Sequence, residues 1–297
     1  SFTGQVWYNS TSGALKVDTG TLVSAWSTVN SMNTGRYDFA AAGTTTAALA
    51  FGPTNTTESW NGTNWTSVNP MVQGRSNLAG CGASNTAALA FSGRPLGFGY
   101  GVLTETWNGT NWTEVGDLST AAYGGGGAGT NTSALSFGAS APSSYNQTEL
   151  YNGTNWTIVN PLNTGRNTLA ATGESNTAAL AFGGINFPTL YSATESWNGT
   201  NWTTVNPMNT ARSGGAGGGT TTSALGFGDY SPATGITESW NGTNWATANP
   251  LNTSRGYLGG SGSSNISALA FGGTPPGQLT ITEEFSQAGG ISTITTS

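Results

Sequence analysis

The chain has 297 residues, of which only 7% are charged, and it carries 46 glycines and 11 tryptophans. Disordered segments are poor in aromatics and rich in charge, so this composition belongs to a folded, β-rich protein. A net charge of −6, with one lysine and six arginines, leaves no basic face to displace phosphate counterions, which excludes nucleic acid as a partner.

Residues 1–19, opening GQVWYNSTSGALKV from Gly4, read as an N-terminal extension with an extra strand. The start at Ser1, without a signal-peptide pattern, reads as processed or excerpted. From residue 20 to 287 one sentence recurs, close to TESWNGTNWTTVNPMNTGR…TAALAFGG, and residues 288–297 form a C-terminal extension. The second tryptophan of the sentence falls at Trp26, Trp65, Trp112, Trp156, Trp202 and Trp245. An arginine follows ten residues later at Arg36, Arg75, Arg166, Arg212 and Arg255, and Ala122 holds that slot in the third copy. An ALAF-type run then ends at Phe51, Phe91, Phe137, Phe182, Phe227 or Phe271. Each unit closes on a glutamate two residues before an aromatic: Glu58, Glu105, Glu149, Glu195, Glu238 and Glu283. Six members in every series predict six copies of one structural unit.

Each unit reads as four short strands. The Gly-rich stretch after the arginine, such as Leu78-Ala79-Gly80-Cys81-Gly82, suits an innermost strand where blades crowd an axis. In AALAF, Leu180 and Phe182 fall on one face and Ala179 and Ala181 on the other, by the period of two. One face is bulky and the other nearly flat, so radially stacked sheets nest. TESW and NWTTV supply the third and fourth strands, joined by Asn-Gly turn chemistry. Helix-period patterning is absent. The predicted fold is all-β, a six-bladed β-propeller of four-stranded antiparallel blades. Closure is expected from Ala25-Trp26-Ser27-Thr28-Val29 as outer strand of the last blade, beside Thr282-Glu283-Glu284-Phe285. A seventh, partial blade from Gln5-Val6-Trp7-Tyr8 and residues 291–296 is the rival.

The order of arginine, Gly-rich strand, AFGG, a strand ending in Trp or Tyr, a Trp strand and NPM resembles the kelch repeat over residues 20–287. Gly183-Gly184 and Gly272-Gly273 keep that family's glycine pair, while Gly52-Pro53 and Ser92-Gly93 depart from it. The WNGTNWT wording and the opening GQVWYNSTSGALKV also resemble repeat proteins predicted as virion or tail-fibre components of marine bacteriophages. The first resemblance implies an interaction platform, although the same fold also hosts oxidases.

The sequence shows no recognisable catalytic constellation. There is no histidine, which removes the commonest general base and metal ligand and every Ser-His-Asp or Cys-His arrangement. The copper site of oxidases on this fold needs His and Tyr ligands. Cys81, the single cysteine, aligns with Ala42, Ala128, Thr172, Gly218 and Ser261, a small-residue slot, and reads as packing. Glycosidase chemistry needs two neighbouring carboxylates, and six of the thirteen acids are the once-per-unit glutamates. Runs such as Gly124-Gly125-Gly126-Gly127 lack the lysine and helix of a phosphate loop. No enzyme activity, cofactor or metal is expected. No apolar run approaches the roughly 20 residues of a spanning helix, and no membrane insertion is expected.

The spacing from glutamate to arginine is the same in Glu58–Arg75, Glu149–Arg166, Glu195–Arg212 and Glu238–Arg255. Buried charges must pair, so a ring of inter-blade ion pairs is expected in that register, with Arg36 and Glu283 meeting at the closure. Glu105, facing Ala122, is expected to lack its arginine. The paired tryptophans read as clamps of the outer strands, with sugar binding on exposed Trp faces as the alternative. The sequons at Asn61, Asn64, Asn108 and Asn201 read as turn chemistry or as glycosylation sites.

The connection from AFGG to the next glutamate varies in length, shortest from Phe51 to Glu58 and longest from Phe91 to Glu105. These loops hold unrepeated aromatics, Phe98, Tyr100, Tyr145, Phe187, Tyr191 and Tyr230, on one rim. The expected function is a non-enzymatic module at an extracellular or virion surface that binds a glycan or protein receptor through this rim. A purely structural subunit of a virion or filament, packed against copies of itself, is the alternative.

Overall fold

The computed structural model describes residues 6–11, 14–95, 99–141, 145–230 and 232–294. Every regular element among them is a strand, and the strands form six antiparallel four-stranded blades. The first blade runs from inside outward as Ala40–Gly43, Ala48–Phe51, Thr57–Trp60 and Trp65–Val68. The second to fifth repeat this order, beginning at Ala79, Tyr123, Ala170 and Ala216. The sixth takes Gly259–Ser264, Ser267–Phe271 and Thr282–Ile294 from the C-terminal part and Ala14–Val29 from the N-terminal part.

That shared blade is the expected closure, with Trp26 opposite Phe285 and Val29 opposite Thr282. The two strands also run on beyond the blade, pairing as far as Leu15 with Ile294. Val6–Asn9 adds to Ala14–Val17 as a fifth strand of this sheet, so the described part of the rival partial blade extends the sixth. Gln5 and residues 295–297 lie outside the described residues.

The nesting of bulky on flat faces recurs at every blade interface. Leu49 and Phe51 of the first blade pack with Ala88 and Ala90 of the second, and Leu269 and Phe271 of the sixth with Ala48 and Ala50 of the first. Small inner-strand residues are a steric demand: a Cβ on Gly80 would lie 2.5 Å from the Phe51 ring. Cys81 is buried in the same layer, and burial pushes its thiol pKa up, consistent with packing.

Each outer-strand tryptophan reaches into the preceding blade. Trp65 packs against Phe271 at 4.8 Å and Trp202 against Phe137 at 4.7 Å, with the rings tilted by 57° and 64°, and each indole N–H donates to a third-strand threonine at 3.0 Å, Thr282 and Thr148 respectively. The same pair of contacts occurs at Trp26, Trp112, Trp156 and Trp245. All ten tryptophans from Trp26 to Trp245 are buried, so these rings act as clamps and offer no faces to sugars. The turn asparagines shape their hairpins: Asn61 Oδ1 accepts from the N–H groups of Thr63 and Asn64.

The ion pairs exist in a different register from the one expected. Arg36 pairs with Glu58, Arg75 with Glu105, Arg166 with Glu195, Arg212 with Glu238 and Arg255 with Glu283. Each arginine therefore reaches forward into the blade it introduces, not back to the glutamate of the blade before. Glu58–Arg75, Glu149–Arg166, Glu195–Arg212 and Glu238–Arg255 are not partners, and neither are Arg36 and Glu283. Each glutamate also accepts from two backbone N–H groups of the linker that enters its blade; for Glu195 these are Asn163 at 2.7 Å and Thr164 at 3.2 Å. The pair thus pins the chain as it crosses between blades.

The glutamate without an arginine is Glu149, since Glu105 has Arg75. Glu149 keeps its two linker donors, Ser119 N–H at 2.8 Å and Thr120 N–H at 2.9 Å. The missing guanidinium is replaced by Gln147, whose amide donates to Glu149 and to Thr120 Oγ1. A void of about 10 Å³ lies between Ala122, Ala139, Ala141 and Gln147. Leucine at this position removes the donor from a buried carboxylate, so Gln147→Leu is expected to cost about 1–3 kcal/mol in urea unfolding. The double change Ala122→Arg with Gln147→Ala is expected to restore stability. Equal stability of Gln147→Leu and the parent chain rejects this substitute role.

Candidate functional site

The linker pinned by each Arg–Glu pair places one residue, two positions after the arginine slot, on the axis. These residues are Asp38, Asn77, Gly124, Thr168, Gly214 and Tyr257, and all six have positive φ, between 45° and 67°. Their backbones form a closed ring of hydrogen bonds. Asn77 N–H donates to Asp38 at 2.8 Å, Gly124 to Asn77 at 2.7 Å, Thr168 to Gly124 at 2.7 Å and Gly214 to Thr168 at 2.9 Å. Tyr257 donates to Gly214 at 2.6 Å and Asp38 to Tyr257 at 3.3 Å, completing the circle. Glycine adopts this conformation freely, whereas the β-branched Thr168 and the bulky Tyr257 are strained by it. Strain of this kind persists where the surrounding structure over-determines it, often at functional sites.

The ring forms the neck of a funnel. Above it a cavity of about 710 Å³ opens between the loops, within the size range of small-molecule sites. Below it the space narrows to about 100 Å³ and continues into a channel of about 200 Å³ between the inner strands. The funnel wall carries aromatics from five of the six blades: Tyr37, Tyr123, Tyr145, Phe187, Tyr230 and Tyr257. Tyr230 and Tyr257 stack at 4.3 Å. Phe187 is 88% exposed, an unusual position for a phenylalanine.

Three of the six expected rim residues, Tyr145, Phe187 and Tyr230, line this funnel. Tyr100 is exposed and packs on Tyr123 at 5.3 Å, outside the funnel lining. Tyr191 is half-buried, and its backbone ties Gly184 to Arg212 without entering the funnel lining. Phe98 lies outside the described residues. Tyr37, Asp38, Arg94, Tyr123 and Tyr257 join the site although the sequence pattern did not single them out. Four of these occupy the first or second position after the arginine slot, where the repeat loses its wording, and that loss was the available signal.

The charged groups of the funnel are Asp38 and Arg94. Arg94 is the arginine that stands outside the Arg–Glu pairs among the described residues, and its guanidinium lies 4.5 Å over the Tyr123 ring. Burial raises the Asp38 pKa, against the hydrogen bond from Asn77 and the charge of Arg94. Asp38 Oδ1 and Thr168 Oγ1 are buried without a hydrogen-bond partner from the protein, and both residues border the open space of the neck. Tyr257 is pushed up to about 12 by burial first and by the charge of Asp38 second. Among the described residues no three His, Cys, Asp or Glu side chains converge in a metal-binding cluster.

No family model matches this sequence. No curated protein matches it. Among solved structures, one titled "Structure of YjhT" superposes with a TM-score of 0.68 at 13% identity, covering 86% of this chain and 95% of that one. That likeness supports the six-bladed propeller architecture and extends no further than the fold.

The strained Asp38 has a pH signature. Its folded pKa is raised above the ordinary 3.8, so the unfolded chain loses the proton first as pH rises. The folded state is therefore penalised above that window and relieved below it. Asp38→Asn is expected to raise the melting temperature at pH 7, with the difference shrinking to nothing as pH falls below about 4. A variant less stable than the parent at pH 7 contradicts this account of the carboxylate.

Proposed function

We propose that this chain is a non-enzymatic recognition module of kelch type that binds a glycan in the funnel, at an extracellular or virion surface. The observation that carries the reading is the funnel itself, with six aromatic side chains around a polar neck. Flat apolar rings pair with the C–H faces of sugars, and polar groups at the base fix orientation. The repeated residues are committed to the frame, whereas the funnel side chains are unrepeated, as expected of a site grafted on a scaffold. The absence of histidine and a single lining carboxylate support a binding role over hydrolysis. The low charge and the WNGTNWT wording, similar to phage fibre components, support an exterior setting.

A second reading, a structural subunit, draws on the strands Ala14–Val29 and Thr282–Ile294. They continue past the sixth blade and carry Val6–Asn9 as an added edge. Such a ribbon suits attachment to a neighbouring subunit by edge pairing.

A glycan array probed with the whole chain separates the two. The first reading predicts discrete hits, each weakened roughly three- to tenfold by Phe187→Ala or Tyr145→Ala with unchanged melting temperature. An array without hits, together with a particle that sediments as an assembly, favours the second.

A further inference from the structure

Resting on the glycan-binding reading above, we infer that the funnel selects an uncharged terminal sugar through its vicinal hydroxyls, with Arg94 donating and Asp38 accepting. The two side chains carry opposite charge in one cavity, close enough for the Arg94 charge to act on the Asp38 carboxyl. A ligand with net charge satisfies one of them and is repelled by the other. Adjacent hydroxyls suit both, since each hydroxyl can donate and accept at once.

The geometry supplies each half of the contact. The Arg94 guanidinium sits over the Tyr123 ring, which holds it in place while no glutamate pairs with it. Asp38 stands on the neck ring at φ 57°, with Oδ1 unpartnered, and Thr168 Oγ1 on the same ring is unpartnered too. An entering hydroxyl can bond to both oxygens, which no donor of the protein reaches.

The shape decides which part of a glycan reaches them. The neck encloses about 100 Å³ against about 710 Å³ in the funnel, well below the few hundred Å³ of sites that hold small molecules. A sugar chain therefore stops at the ring, and only its end unit meets Asp38. The aromatic walls then hold the next unit or two.

The test is calorimetric titration of the whole chain with neutral oligosaccharides taken from the array hits, before and after periodate oxidation of their terminal diols. Matched oligosaccharides ending in a uronic acid serve as the charged arm. Expected is binding of the neutral forms, lost after oxidation, and weakened roughly ten- to hundredfold by Asp38→Asn and by Arg94→Met. Because Asp38→Asn is expected to be at least as stable as the parent, a lost signal there cannot be put down to unfolding. Tight binding of uronic-acid termini, or survival of binding after oxidation, overturns the inference while leaving the funnel a glycan site. Binding unaffected by Phe187→Ala, Asp38→Asn and Arg94→Met places the ligand elsewhere and overturns both.

Discussion

The whole particle depends on one contact made six times, the outer-strand tryptophan wedged into the blade before it. A four-stranded blade of this size cannot bury both faces by itself. The tryptophan supplies the missing cover: its ring lies on the preceding blade's phenylalanine and its N–H is satisfied by that blade's threonine. A buried indole N–H without a partner is costly, so the threonine fixes where the ring sits. Blade rotation is therefore set by a hydrogen bond and a tilted aromatic contact together, and the alanine and glycine faces follow because they must fit beneath. The circle then has to close, because an open last blade leaves one wedge empty. Sharing the sixth blade between both ends of the chain fills it.

From that frame the funnel is reached in three steps. The glutamate on each third strand collects two linker N–H groups and, in five blades, an arginine. That clamp delivers the next residues of the linker to the axis. There six backbones bond in a ring that forces positive φ on aspartate, asparagine, threonine and tyrosine as well as glycine. Buried ion pairs are weak sources of net stability but penalise alternatives that separate their charges. Here they serve position: they fix the neck from which Asp38 and Tyr257 rise. The loops of variable length supply the walls.

Most of the frame could be read in the sequence, since a repeat exposes it six times over. The blade count and the nested faces follow from period and alternation; the shared last blade follows from the need to hide its edges, although the Arg36–Glu283 contact expected there is not formed. The ion-pair register did not, and the reason is physical. A constant spacing from glutamate to the following arginine records a rigid run of strand, turn and strand, which carries the arginine away to the next blade. The true partners are unequally separated, with Arg36 nearer to Glu58 along the chain than Arg75 is to Glu105, because the variable funnel loop lies between them. Constancy marked shared structure, and contact had to be sought across the loop. Half of the funnel was legible as unrepeated aromatics. Asp38, Arg94 and Tyr257 were not, because their role comes from six linkers meeting at one axis, which no single repeat displays.

Identical wedges, including the one made by the N-terminal strand, hold the chain as one closed circle. Urea unfolding of Trp26→Phe beside Trp202→Phe measures this at the closure and away from it. Phenylalanine keeps a ring but loses the hydrogen bond to Thr237 or Thr148. Each variant is expected to lose about 1–2 kcal/mol, equal within error, with a single cooperative transition retained. A Trp26→Phe chain that unfolds like the parent, or that shows a separate early transition while Trp202→Phe does not, contradicts the closed circle.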